Sequence, residues 1–194
     1  MRGALRILVF ATAVAVVSAP AFVRAEGYVS PWVAANAGNN ISNFENGRAG
    51  FGINAGGMGG GIVGGELAFG WSPSFFGTRN DFGDNSVIDL MGNVIIGVPI
   101  GGTYGVGVRP FVTAGLGLLR TQVDGGTIAR VQSHNNMLGW DAGAGVMGFF
   151  NDHVGLRGDL KYLRSVENDS GQTIIGLNTG RFRFWRAAVG VVFR

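Results

Sequence analysis

The sequence predicts an all-β chain, an eight-stranded antiparallel up-and-down transmembrane β-barrel. Three observations predict it. Apolar residues recur at every second position nearly everywhere after residue 25, and glycines interrupt every window long enough for a helix. The periodic segments run to about 10–13 residues, whereas a tilted membrane strand needs about 9–11 and a globular strand averages about 5–6. The connections alternate between long and short, as the two ends of a membrane barrel do.

Taken in order, the first segment is Tyr28–Ala37, with Val29, Pro31, Val33 and Ala35 on one side and Tyr28 and Trp32 on the other. The second is Arg48–Gly57. In the third, Ile62–Trp71, Val63, Leu67, Phe69 and Trp71 share a face and Glu66 takes the opposite one. In the fourth, Val87–Val98, Ile88, Leu90, Val94, Ile96 and Val98 oppose Asp89 and Asn93. The fifth, Gly107–Leu119, sets Val108, Pro110, Val112, Ala114, Leu116 and Leu118 against Arg109 and Thr113. The sixth, Met137–Gly148, sets Leu138, Trp140, Ala142, Ala144 and Val146 against Asp141. The seventh, His153–Leu163, reads "HVGLRGDLKYL": Val154, Leu156, Gly158, Leu160 and Tyr162 alternate with His153, Gly155, Arg157, Asp159 and Lys161. The eighth is Arg181–Phe193. There Phe193, Val191, Val189, Ala187 and Trp185 form one series, and Phe182 and Phe184 fall on the other parity. That clash predicts a bulge near Trp185 or an irregular end.

From the third segment to the seventh the charges keep to one face. A bilayer enforces such segregation, because Arg or Lys facing lipid at midplane costs about 2–4 kcal/mol. Parity supports the same topology. If the chain starts in the periplasm, the long connections Gly38–Gly47, Ser72–Ser86, Arg120–Asn136 and Arg164–Gly180 all fall outside the cell. Met58–Gly61, Pro99–Val106 and Phe149–Asp152 then form the periplasmic turns.

The segment before residue 26 is a separate object. "MRGALR" is a basic start, "ILVFATAVAVV" an apolar run too short to span a bilayer, and "SAPAFVRA" a small-residue exit. Residues 1–25 therefore read as a secretory signal cleaved after Ala25, with Ala19-Pro20-Ala21 as the alternative site, leaving a barrel domain over 26–194. The chain has 194 residues and no Cys, which excludes disulfides and thiolate metal sites. Its net charge of +3, with no basic run, argues against nucleic acid.

Aromatics predict two interface belts. Trp71, Phe75, Phe76, Trp140, Tyr162, Phe182, Phe184 and Trp185 would mark the outer one, and Tyr28, Tyr104, Phe149, Phe150 and Phe193 the periplasmic one. Gly107, Gly115, Gly117, Gly139, Gly143, Gly145 and Gly155 lie mostly on the interior series, where a narrow barrel needs small residues beside large ones. Glu66, Asp89, Arg109, Asp141, Arg157, Asp159 and Lys161 form the interior charge set. Near balance of sign and the small lumen of eight strands favour a salt-bridged plug over an open channel, with Asp141 as a candidate cross-strand partner for Arg157 and Lys161 of the seventh segment.

"GGELAFGWSPSFFG", "LMGNVIIGVPIGG", "RPFVTAGLGLLRT", "GWDAGAGVMGFFNDHVGLRGDLKYLR" and the end "FWRAAVGVVFR" together resemble the bacterial outer-membrane β-barrel domain family, the small eight-stranded OmpA/OmpX-type barrels. The resemblance covers Gly27–Arg194. It implies an outer-membrane location and a terminal aromatic strand of the kind read by the barrel-assembly machinery, followed here by Arg194. It implies activity only loosely, since members range from anchors and adhesins to lipid-modifying enzymes.

Against that background the chemical motifs are weak. Gly59/Gly61/Gly64 and Gly143/Gly145/Gly148 match a dinucleotide fingerprint by spacing, but one is a hairpin turn and the other lies inside a strand. His134 follows Ser133 at the base of a long connection, and adjacent strand residues point to opposite faces. His153 sits at the other end. "RNDFGDN" at 79–85 lacks the spacing of a calcium loop. Arg48, Arg79, Arg120, Arg130, Arg164, Arg181 and Arg183 fall in or near the long connections, where Arg could meet lipopolysaccharide phosphates. The expected protein is a monomeric, non-enzymatic barrel without cofactor, acting through four long loops. A minor channel and a lipid-modifying enzyme are the alternatives.

Overall fold

The computed structural model describes residues 25–38, 48–73, 75, 84–124, 132–166 and 183–194. They form eight strands: β1 (Ala25–Gly38), β2 (Arg48–Gly59), β3 (Val63–Pro73), β4 (Asp84–Gly97), β5 (Gly107–Asp124), β6 (Gln132–Phe149), β7 (Val154–Ser165) and β8 (Arg183–Phe193). Each pairs antiparallel with the next, and β8 closes on β1. The predicted barrel is the observed one. No helix among the described residues is long and apolar enough to cross a membrane, which says nothing against crossing by strands.

The register defines the geometry. Followed across the strands, Gly27 leads through Gly57, Gly65, Val94, Ala114, Ala142, Tyr162 and Trp185 back to β1 at Ala37, ten residues further on. An even stagger is required for inward residues to return as inward residues, and it tilts the strands steeply, within the roughly 35–45° usual for barrels. The result is a strict alternation of exposure. Along β3, Glu66 is 3% exposed, Leu67 61%, Ala68 5% and Phe69 43%. In a membrane that exposure faces hydrocarbon. Spin labels at 154, 156, 158 and 160 should therefore be reached by oxygen in lipid, and labels at 155, 157, 159 and 161 screened from it. A period near 3.6 in that accessibility would contradict the stave.

Several expectations need correction. β5 and β6 do not stop at Leu119 and start at Met137; they stay paired out to Asp124 and Gln132, with Asp84 of β4 beside Asp124. Apolar alternation reports the membrane, whereas backbone pairing continues beyond it, so Arg120–Asn136 looked like a loop. The predicted bulge near Trp185 is absent, since β8 pairs without interruption with β7 from Phe193 to Arg183. Phe184 is simply an inward residue, fully buried, with the Phe75 ring 5.0 Å away. Tyr28 and Phe149 are also buried inside rather than belt residues.

Phe75 packs against the interior layer as well and leaves the predicted outer belt, whereas other aromatics do form belts. Phe51–Trp71, Trp140–Tyr162 and Tyr162–Trp185 are in ring contact on the outer wall toward the long connections, and Tyr104, Phe150 and Phe193 are exposed toward the short ones. Phe76 and Phe182 lie outside the described residues. The β2–β3 turn uses Gly60 and Gly61 at φ of 58° and 71°, a left-handed backbone that glycine adopts without steric cost. The closing seam lacks register partners only at Ser30 and Pro31, between Val29–Phe193 and Trp32–Gly190; proline has no N–H to give a ladder.

Candidate functional site

Among the described residues, the lumen is where the fold gathers charge, and it does so in layers. Toward the short connections Tyr28, Met58, Ile95, Phe111, Met147, Phe149 and Val192 fill the barrel. Toward the long ones Leu119, Met137, Leu163 and Phe184 do the same. Between these apolar layers lies an ionic one.

Glu66 is its centre. Its carboxylate accepts from the Tyr28 hydroxyl at 2.7 Å, from Lys161 Nζ at 3.1 Å and from both Nη atoms of Arg157, the second at 3.2 Å. Arg157 also donates through Nε to Asp159 at 2.8 Å, and its guanidinium stacks 4.7 Å from the Phe111 ring centre. Alternation along β7 places Arg157, Asp159 and Lys161 on one inward line, but the ten-residue stagger is what brings Glu66 of β3 across to meet them. Asp141 lies 3.8 Å from Lys161 and accepts from Asn93 Nδ2 at 3.2 Å. The expected cross-strand partnership of Asp141 with the β7 cations is met through Lys161, whereas Arg157 pairs with Glu66.

The second half of the layer is an unpredicted group. Arg186 of β8 donates from Nη1 and Nη2 to the two carboxylate oxygens of Asp89, at 2.9 and 2.7 Å. Its Nε donates to Asn36 Oδ1 at 2.9 Å, and its plane lies 4.9 Å from the Trp32 ring centre. A forked pair of this kind fixes both partners in direction as well as distance. Gly70 makes it fit, because a Cβ there would stand 2.4 Å from Asp89 Oδ2 and 2.7 Å from Arg186 Nη1. Arg186 was legible in the sequence: strict alternation backward from Phe193 turns it inward. The assumed bulge hid it.

All seven predicted interior charges are indeed turned inward, though Arg109 belongs elsewhere. It sits below the apolar layer and pairs with Glu26 at 2.8 Å, and Arg194 holds the other Glu26 oxygen at 2.8 Å. Arg194 also donates to the carbonyls of Thr103, Gly105, Asn151 and Asp152, fastening two short connections to the start of β1. Glu26 escaped sequence reading because it precedes the first periodic segment.

With Glu66, Asp89, Asp141 and Asp159 set among Arg157, Lys161 and Arg186, little room remains. The space between Trp32, Asn54, Asp141, Asp159, Lys161 and Arg186 is about 10 Å³, enough for about one water molecule. No group of three or more metal-ligating side chains occurs among the described residues.

Outside the lumen, Arg164 and Arg183 are outward neighbours across β7 and β8, and Arg120 is outward on β5. Arg48 stands on the inward series at the mouth, where its carbonyl accepts from Asn36. Arg79, Arg130 and Arg181 lie outside the described residues, as do the side chains of Ser133 and His134. His153 is exposed in the β6–β7 turn, opposite the long connections.

The chain matches the outer membrane protein beta-barrel domain family over residues 9–193. No curated protein matches its sequence. Among solved structures it is similar to Neisserial surface protein A, with a TM-score of 0.62 at 18% identity over 87% of this chain and 97% of that one. It is also similar to the N-terminal β-barrel domain of Pseudomonas aeruginosa OprF, at 0.51 and 20% over 88% and 98%. Ail, the attachment invasion locus protein of Yersinia pestis, gives 0.52 and 12% over 87% and 99%. At these identities the likeness is one of fold, and it agrees with the closed eight-strand architecture. Together with the extent of the family match, it means that the chain belongs to the outer-membrane protein β-barrel domain family.

Proposed function

We propose that this protein is a closed, monomeric anchor in the outer membrane that acts by presenting the connections β1–β2, β3–β4, β5–β6 and β7–β8 at the cell surface, without conducting solutes and without catalysis. The observation that carries the reading is the layered lumen. An ion passing through would have to push aside both apolar layers and break the Glu66 and Asp89 clusters between them. In a dry interior, separating such pairs costs several kcal/mol each. The strand order brings the ends of these connections to one end of the barrel, and loops on a rigid scaffold are where binding residues concentrate. Neisserial surface protein A and Ail are named for a surface and an attachment role, which supports a surface-interaction role here.

Three further elements of this reading follow from the sequence. Residues 1–25 serve as a cleaved secretory signal, and β8, ending in Phe193, is the strand that the assembly machinery reads. The rim arginines face lipopolysaccharide. Planar-bilayer recording of the refolded full chain tests the closed lumen. No unitary conductance steps are expected; reproducible steps from the wild-type protein would make the channel reading the better one. The lipid-modifying alternative predicts altered lipid A in cells expressing the protein, readable by mass analysis.

A further inference from the structure

We propose that Asp141 is a bound-proton site: at neutral pH it is a neutral carboxylic acid, joined to Asn93 by a ring of two hydrogen bonds inside the lumen. The proposal goes beyond the closed-lumen reading. It rests on the burial of these particular atoms, so conductance and protonation can fail separately.

Charge counting comes first. Between the two apolar layers the described residues place the carboxylates Glu66, Asp89, Asp141 and Asp159 among the cations Arg157, Lys161 and Arg186, one carboxylate more than there are cations. Three of the carboxylates have a cation at hydrogen-bond distance. Glu66 has Arg157 and Lys161, Asp159 has Arg157, and Asp89 has Arg186. Asp141 is the one left over. Lys161 Nζ stands 3.8 Å from Asp141 Oδ2, too far for a hydrogen bond, and donates to Glu66 at 3.1 Å instead. A buried carboxylate without a close partner is so costly that it takes up a proton rather than stay charged. With Asp141 neutral, the layer balances.

Hydrogen bonding says where the proton sits. Asn93 and Asp141 are only 5% and 2% exposed, and Asn93 Nδ2 donates to Asp141 Oδ2 at 3.2 Å. The other oxygen of each group, Asn93 Oδ1 and Asp141 Oδ1, is buried without a partner. Both are acceptors while Asp141 is charged, so neither can serve the other. A proton on Asp141 Oδ1 turns it into a donor, and a donor is what Asn93 Oδ1 lacks. Acid and amide then pair edge to edge, and one proton satisfies two orphaned atoms. The pairing survives a turn of the Asn93 amide, with the proton on the other carboxyl oxygen.

The backbone makes room for this ring. Gly115 of β5 lies between the two residues, opposed to Asn93 on one side and to Asp141 on the other. A Cβ there would collide with Asn93 Oδ1, so glycine lets the two side chains meet across β5. Water does not fill the same role. The space for about one molecule beside Asp141 is shared with Asp89, Asp159, Lys161 and Arg186, and Asn93 does not line it.

The test is infrared spectroscopy of the refolded full chain at neutral pH, in detergent micelles free of ester carbonyls. Exposed carboxyls are ionised there, so the C=O stretch of a protonated carboxyl reports a buried one. Wild type should show such a band, and D141N should lack it. N93A should keep the band and move it to higher frequency, because the carbonyl loses the Nδ2 donor. Urea unfolding midpoints give a second readout. D141N should unfold at or above the wild-type midpoint, since an amide at position 141 reproduces both hydrogen bonds without a proton. D141A, which breaks the ring, should unfold at lower urea. Absence of the band from wild type, or its survival in D141N, would overturn the site. A D141N midpoint below that of D141A would overturn it too, by making Asp141 a charged partner of Lys161. So would a wild-type midpoint that falls when choline replaces sodium at constant ionic strength, because a cation would then balance the layer.

Discussion

Replacing Glu66 by Ala should lower the stability of the barrel by about 3–5 kcal/mol, the cost of leaving a buried charge cluster without its partner. Among the described residues, Glu66 is the only group that holds Arg157 and Lys161 together, and its side chain is fully buried. Without it, Arg157 keeps Asp159, but Lys161 keeps only Asp141 at 3.8 Å, and the Tyr28 hydroxyl loses the acceptor it donates to. Water cannot easily substitute, because the apolar layers lie above and below and the free space nearby holds about one molecule. Glu66→Gln keeps the volume and separates the loss of charge from the loss of packing; it should cost less than Ala but remain clearly destabilised. Urea unfolding midpoints of the refolded protein in lipid vesicles measure both. A silent Glu66→Ala would mean that the lumen is hydrated, and the case for a closed plug would fall with it.

The second large effect belongs to the outer wall. Leu67→Arg should cost about 2–4 kcal/mol, because it puts a cation into hydrocarbon near the middle of β3. Leu67 is opposed in register to Ala55 and Gly92, so no neighbouring side chain could shelter the charge. Val98→Arg, just past the end of β4 and comparably exposed, should cost about 0–1 kcal/mol, as the headgroup region solvates it. The same unfolding assay reads the difference. If the two substitutions cost the same, the exposed apolar series does not face a bilayer, and the membrane reading of this sheet is wrong.

How much of this was legible beforehand differs between wall and lumen. Period two along "HVGLRGDLKYL" told inside from outside for Leu156 and Arg157 without any coordinates, because a bilayer penalises each residue separately, according to the face it occupies. Strand number, antiparallel order and the inward direction of Glu66, Asp89, Asp141 and Lys161 follow from the same one-dimensional signal. Where polar solvent replaced lipid, the signal stopped. β5 and β6 outrun their apolar alternation for that reason, and Phe184 on the inward parity of β8 imitates a bulge in the sequence.

Pairing inside the barrel is another kind of quantity. Arg157 meets Glu66, Arg186 meets Asp89, and Arg109 drops to Glu26. None of these partners is near in sequence, and none is on a neighbouring strand. They are brought together by closure of β8 on β1 with a ten-residue stagger, a property that accumulates over all eight hydrogen-bond registers and is visible in no local window. The sequence by itself determined which residues face the lumen, because burial is decided residue by residue. Only the tertiary structure decided which charge faces which, because that depends on the tilt and diameter of the closed barrel.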